Sequence, residues 1–563
     1  MRTDQPIRFS ILHTNDLHSC FEGLGPDASF SPDPAQKDPI KGHYARLGAL
    51  IRKTRAERES RGEAVLLADA GDAEFGALFH LLGPRSDHPE MPEYRFFHDL
   101  KYDVLGIGNH FFESGAGGLL TTWKKVEAQG LKLPFLLSNA VFSDASGIVA
   151  RRFLTSLQPP GTTGFHRLMV REVTVSGKTI RIGWLGLVGP YGAKVSLANR
   201  SDLSFIGFDD LTGSDRPEAL HRHARELARE LREVHRADMV VAVFHGGHPE
   251  DRSLAAAVPE IDLVIAGHTH AVYAETIGKT VVSQAGYGGT MLGCLDFAWE
   301  AGRPVWKNPG ESLFPITSVL APDPHILGKV EKYKKDINEL LAGTSFAYET
   351  PVFTTDRDLL RKRFPDNTAG VFVVSGILAE INKRVETPVD VFFSSYGLVR
   401  SEFLCVHGKT TTFQYSDIFR FFPLGFGKDF KAGTPVHTFY LTRRDLKSLL
   451  EAMAAVSMTA AVFDPVVSDS LTFSIAWWGI PFYNKIRDLR LRGQELTVDD
   501  SLIHVGTDEY FSRNLRRIKV LSMGFAQAIP RTSNGDELPV FPESRLPPEH
   551  DLLAFYLMSL PRS

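Results

Sequence analysis

Five short motifs rich in oxygen and nitrogen donors each follow an apolar, strand-like run in the first half of the chain, and this alternation constrains the fold more than any other feature. The motifs are Asp16-Leu17-His18, Gly71-Asp72, Gly108-Asn109-His110, His245-Gly246-Gly247 and Gly267-His268-Thr269-His270. The runs before them are Ile7–His13, Ala64–Ala68, Val104–Ile107, Met239–Phe244 and Ile261–Ala266. Runs this short and this apolar predict strands buried on both faces. Loops at the carboxyl ends of such strands are where α/β folds gather functional groups. Helical patterns alternate with the strands up to about residue 300, most clearly at Arg216–His235. The first half therefore predicts a layered α/β domain.

The chain of 563 residues is long enough for two or more domains with full cores. Its 63 basic and 67 acidic side chains balance to −4, which argues against a nucleic-acid polymer as partner. No apolar stretch approaches the roughly 18 residues of a membrane span, so no membrane partner is expected. Cys20, Cys294 and Cys405 are odd in number and far apart, which disfavours a disulfide framework. The first strand begins near Ile7, leaving no room for a signal segment before Asp16. The chain as written is expected in the cytoplasm, or in the periplasm if the true start lies upstream.

Pro/Gly/Ser punctuation marks Glu22–Gly42 and Leu82–Tyr94 as surface insertions. Pro322 and Pro324 precede a helical pattern at His325–Leu341, read as a connecting helix. The expected organisation is a catalytic domain over 1–321, a connecting segment over 322–347 and a second mixed α/β domain over 348–563. In that second domain the patterns predict a helix near Ala369–Val385, a strand at Val389–Ser394 and a helix at Thr442–Ala455.

Asp, His and Asn together suit divalent Mn, Zn or Fe, and none of the five motifs holds a thiolate. Both side chains of an Asp-x-His loop can reach one ion. Asp72 could bridge two ions roughly 3.5–4 Å apart, the spacing used in two-metal hydrolysis. Asn109 offers an amide oxygen, and glycines at 71, 108, 246 and 267 permit close backbone approach. His13 and His248 read as structural or solvent-facing, as does Cys20.

This motif set resembles the calcineurin-like metallophosphoesterases, and more closely the two-domain 5′-nucleotidase family. The segment His13-Thr14-Asn15-Asp16-Leu17-His18 carries most of the likeness, with Leu137-Ser138-Asn139 as a further match. The resemblance implies an N-terminal α/β/β/α layered domain and a C-terminal mixed α/β substrate-binding domain. It implies Asp16, His18, Asp72 and His270 around one ion, and Asp72, Asn109, His245 and His268 around the other. His110 then faces the phosphate and assists the leaving oxygen. The family's supporting acid three positions on is Glu113 here, and its usual Glu after the His is Phe111.

In the second half the family's Asn-x-Gly-Gly-x-Arg turn is Ser395-Tyr396-Gly397-Leu398-Val399-Arg400, and its late aromatic position is Tyr510. The resemblance makes Arg400, Tyr510 and Asn109 substrate contacts, with Arg363 a weaker candidate. Leu424 stands where a stacking Phe is expected, and Phe422 or Phe426 could replace it. The implied activity is hydrolysis of nucleoside monophosphates or related small phosphate esters by a metal-activated water. The alternatives are a phosphodiesterase or cyclic-nucleotide hydrolase, a thiosulfohydrolase-like enzyme, and a non-catalytic binding protein with a residual metal site.

Overall fold

The computed structural model describes residues 7–24, 42–83, 87–112, 115–142, 154–155, 164–175, 177–196, 203–209, 214–405, 410–424, 433, 435–458, 461–515, 518–519, 522, 524–542 and 544–561. It divides into two compact units, Met1–Leu340 and Leu341–Ser563.

In the first unit the apolar runs become the inner strands of two sheets. One sheet carries β1 (Ile7–Thr14), β2 (Ala64–Asp69), β3 (Val104–Gly106) and β4 (Pro134–Leu136), each parallel to the next. The strand β9 (Met291–Glu300) runs antiparallel on the other side of β1. The second sheet carries β5 (Lys178–Val188), β6 (Met239–His245), β7 (Leu263–Ala266) and β8 (Thr280–Ala285), again all parallel.

The residues of β6 show why these runs lack a polar face. The strand is buried along its whole length. Val241 and Val243 enter a core shared with Phe9, Ile11 and Leu66 of the first sheet and Trp184 of β5. Val240, Ala242 and Phe244 point the other way, against Leu227 and Leu231 of α2 (Pro217–Glu233). Each such side chain contributes roughly 1.5–3 kcal/mol when removed from water, which selects apolar residues at every position. The helix α2 buries Leu220, Ala224, Leu227, Ala228 and Leu231, one stripe at helical spacing, beneath a charged outer face. The helix α1 (Tyr44–Ser60) covers the first sheet at β1 and β2, and α3 (His248–Ala257) packs beside α2 on the second. The layers are therefore α/β/β/α.

The helix at the end of this unit, α4, spans Pro324–Leu340 and buries Ile326, Val330, Tyr333 and Ile337. The Tyr333 hydroxyl donates to Glu90 at 2.8 Å, and Lys329 and Lys334 pair with Asp99 and Glu22 at 2.9 and 3.0 Å. These contacts lie within the first unit.

The segment 82–94 is not a simple surface excursion. Met91, Glu93 and Tyr94 are buried, because a helix over Pro92–Asp99 turns its first residues inward. Of the other insertion, residues 25–41 lie outside the described residues.

The second unit is built on a four-stranded sheet ordered β11 (Val436–Thr442), β13 (Leu502–Asp508), β10 (Val391–Ser395) and β12 (Pro465–Val467). The helices α5 (Thr368–Asn382) and α6 (Arg443–Val456) flank it, and Leu446, Leu449 and Leu450 of α6 enter its core. Trp477 and Trp478 take no part in that core: they sit between hairpin strands at 44% and 83% exposure. Among the described residues no helix is long and apolar enough to cross a membrane. None of the three cysteines forms a disulfide.

Candidate metal centre

The carboxyl ends of β1, β2, β3, β6 and β7 meet at one edge of the sandwich, and the five motifs sit in the loops that leave them. Three groups of side chains there bring ligand atoms within 4.8 Å of one another: Asp16, His18 and His270; His18, Asp72 and His110; and Asp72, His245 and His268. Asn109 lies beside the last group, with its Oδ1 3.2 Å from His245 Nε2. Asp16, His18, Asp72, Asn109 and His245 are buried, whereas His268 and His270 stand at the solvent side.

The two buried imidazoles are oriented from behind. His245 Nδ1 lies 2.9 Å from the Ala70 carbonyl and His18 Nδ1 lies 3.0 Å from the Glu74 carbonyl. A carbonyl only accepts, so both rings donate from Nδ1 and turn Nε2 into the site. His18 Nε2 sits 3.0 Å from His270 Nε2, and Asp16 Oδ1 lies 3.8–4.0 Å from His270, His245 and His18. Asp72 accepts the His110 backbone N–H at 2.9 Å through Oδ1 and faces His245 Nε2 at 2.9 Å through Oδ2. Asp16 accepts the His268 backbone N–H at 2.9 Å.

The backbone is forced to make this possible. Asp16, His18, Asp72, His268 and His270 all have φ between 49° and 85°. That left-handed region costs a non-glycine residue about 1–2 kcal/mol each. Gly108 supplies clearance: a Cβ there would stand 2.0 Å from Asp72 Oδ1.

Burial pushes Asp16 up to about 7, against the pull of His245. Burial also works against the Asp72 carboxylate, but His245, His110 and His18 hold it well below the usual range. His245 is lowered by burial and raised more by Asp72 and Asp16, to about 9. Burial pushes Asp69, just behind the site, up to about 7.

A divalent ion fits this donor set. The Asn109 side-chain amide lies 2.8 Å from His268 Nδ1, 3.2 Å from His245 Nε2 and 3.3 Å from Asp72 Oδ2. Two carboxylates (Asp16, Asp72), four imidazoles (His18, His245, His268, His270) and one amide (Asn109), with no thiolate among them, form the donor mixture that divalent Mn, Zn or Fe takes.

Several further residues fall into place. Asn139 is a strut, donating to Val188 and Ile206 carbonyls at 2.8 and 3.0 Å. His13 is buried and bonded to Ser283 at 2.9 Å. His248 faces Glu275 at 3.4 Å, and His43 caps α1 by accepting the Ala45 N–H at 3.1 Å. Phe111 replaces a polar residue because its ring packs among Phe112, Phe135 and Phe165. Glu113 lies outside the described residues.

Sequence reasoning missed Asn15, whose amide donates to Asp16 at 2.7 Å and Gly286 at 2.6 Å and accepts the Ala285 N–H at 2.7 Å. Its place beside Asp16 in the first motif was the available signal.

In the second unit, the Arg400 N–H donates to the Phe421 carbonyl at 2.9 Å. The neighbouring Arg361 lies over the Tyr396 ring at 3.7 Å and donates to the Tyr396 and Val399 carbonyls. Arg363 grips the buried Asp464 carboxylate with two bonds, at 2.6 and 2.9 Å. Phe422 is buried, at 2% exposure; Phe426 lies outside the described residues. Tyr510 belongs to the short helix Glu509–Asn514.

Carboxylate, imidazole and amide donors thus cluster at the strand ends of an α/β/β/α sandwich, an arrangement suited to divalent ions. Residues 9–272 match the calcineurin-like phosphoesterase family model, so the chain carries a domain of that kind. Snake venom 5′-nucleotidase of Naja atra is 27% identical over 268 residues, which cover 47% of this chain and 41% of that one. The chain thus matches less than half the length of that relative. A 5′-nucleotidase precursor from Thermus thermophilus shares the fold with a TM-score of 0.72 and 18% identity, over 98% of this chain and 96% of that one. The Thermus thermophilus sulfate thiohydrolase SoxB shares it with a TM-score of 0.67 and 17% identity, over 99% and 95% of the two chains. The full-length structural neighbours, a 5′-nucleotidase precursor among them, share the two-domain fold of this chain.

Proposed function

We propose that this chain hydrolyses nucleoside monophosphates, or related small phosphate esters, to the alcohol and inorganic phosphate. In this reading residues 1–321 catalyse and residues 348–563 select the substrate. Asp16, His18, Asp72 and His270 hold one divalent ion, and Asp72, Asn109, His245 and His268 hold the other. The donor mixture suits Mn, Zn or Fe. Such ions, when bound, neutralise phosphoryl oxygens and make water a competent nucleophile near neutral pH.

The chain's own residues do the rest. The Ala70 and Glu74 carbonyls keep His245 and His18 in the tautomer that presents Nε2. The His110 backbone N–H holds Asp72. The His110 side chain, 6% exposed within the same cluster, contacts the phosphate and stabilises charge on the leaving oxygen. Glu113 orients it. Arg400 and Tyr510 contact the nucleoside side of the ester.

The observation that carries this reading is the convergence of Asp16, His18, Asp72, His245, His268 and His270 in groups whose ligand atoms lie within 4.8 Å of one another. The test is phosphate release from nucleoside monophosphates, cyclic nucleotides and an aryl phosphate, with Mn and Zn compared. Metal-dependent release from the monophosphates, lost in Asp72→Asn, is the expected result. Activity on the aryl ester alone would refute the nucleotide specificity, and silence with both ions bound would refute the enzyme.

A further inference from the structure

The four histidines of the centre are steadied in two different ways. His18 and His245 are buried and tethered through Nδ1 to main-chain carbonyls. His268 and His270 stand at the solvent side and each leans on a tyrosine. Tyr191 meets His268 edge-on, with centroids 4.7 Å apart and an interplanar angle of 86°. Tyr287 lies flat on His270, at 4.4 Å and 12°.

The Tyr287 contact is held by a built loop. Tyr287 follows Gly286 and precedes Gly288 and Gly289, whose φ values of 67°, 61° and 68° suit glycine. The Gly286 N–H donates to the Ala271 carbonyl at 2.9 Å, next to His270. The Gly288 N–H donates to the carbonyl of Asp16 at 2.7 Å, and Asn15 reaches back to the Gly286 carbonyl at 2.6 Å. A methyl group on Gly288 would stand 2.8 Å from Leu24 Cδ1. The same backbone that sets Asp16 thus sets the tyrosine over His270.

We infer that Tyr287 is a positioning residue for the ion held by Asp16, His18 and His270. Its ring blocks rotation of the partly exposed His270 imidazole and keeps Nε2 turned to His18 and Asp16. Tyr287 is 38% exposed, so its ring reaches His270 from the solvent side of the centre. Groups that orient a ligand from outside typically change metal affinity 10–100-fold when removed, and a single stacked ring belongs at the low end of that range.

This inference rests on the metal-centre reading above, and one titration separates the two. The full chain, stripped of metal, is titrated with Mn²⁺ while free Mn²⁺ is followed by electron paramagnetic resonance, and thermal melts are recorded alongside. Wild type is expected to bind two ions. Tyr287→Leu is expected to weaken one of them about tenfold and leave the other within twofold. Tyr287→Phe keeps the ring and is expected to restore both. The inference is overturned if the Leu variant binds both ions like wild type, or if the Phe variant falls with it. It is also overturned if both ions weaken equally together with a lowered melting temperature. A wild type that binds fewer than two ions would overturn the centre itself, and the inference with it.

Discussion

Gly108→Ala isolates the steric demand at the centre from every electronic one. Gly108 does not adopt a positive φ, so alanine meets no backbone penalty there. The new methyl group would stand 2.0 Å from Asp72 Oδ1, 2.5 Å from its Cγ and 2.7 Å from its backbone N. Reaching even the 3.0 Å below which real Cβ contacts essentially never occur requires about 1 Å of movement. Asp72 has nowhere to yield: Oδ1 holds the His110 N–H and Oδ2 faces His245, each at 2.9 Å. A 1 Å misplacement of a positioned group costs about 100-fold in rate, or roughly 2.7 kcal/mol of barrier. Overpacking adds about 1–3 kcal/mol of lost stability. The assay is kcat on an aryl phosphate with metal stoichiometry and a thermal melt. Gly130→Ala is the control, because Gly130 has φ 64° and nothing within 4 Å of an added methyl; it should lose about 1–2 kcal/mol of stability and no activity. A Gly108→Ala enzyme within threefold of wild-type kcat, with two ions bound, would refute the reasoning.

Burial holds His13 at about 3, well below its ordinary 6.5, so the unfolded chain binds a proton between those values that the folded chain does not. The stability advantage of wild type over His13→Asn is therefore full above pH 6.5. It shrinks as pH falls towards 3, by up to about 1.4 kcal/mol per pH unit. The comparison with the variant matters because Asp69 and Asp251, both raised to about 7 by burial, act in the opposite direction. Denaturant titrations at pH 7, 6 and 5 check this, and a pH-independent difference would contradict it. Arg363→Met removes two bonds from an Asp464 side chain only 1% exposed and should cost about 1–3 kcal/mol. Chemical denaturation reads that loss, while Mn²⁺ binding should not change.

The parts of this fold that were legible in the sequence are those where burial dictates residue type. β6 is apolar at every position because a core lies on both sides of it, so Met239–Phe244 announced a strand that ends one residue later, at His245. α2 was equally visible, since its stripe from Leu220 to Leu231 repeats at helical spacing. Legibility failed where local pattern and tertiary environment disagree. Leu82–Tyr94 has the punctuation of a loop, yet Met91 and Tyr94 are buried by the helix that begins at Pro92. Trp477-Trp478 has the composition of a core and sits exposed between hairpin strands. The donor residues of the centre were legible as chemistry but not as conformation. Asp and His enter the left-handed region more readily than most side chains, but propensity alone would not place Asp16, His18, Asp72, His268 and His270 all there. At about 1–2 kcal/mol each, five such residues consume an amount comparable to the whole net stability of a domain. The two β-sheets and their shared core must offset it. A chain selected for stability alone would put glycine or asparagine at those turns. That this one puts carboxylates and imidazoles there is the strongest sign that the edge of the sandwich was shaped by what it binds.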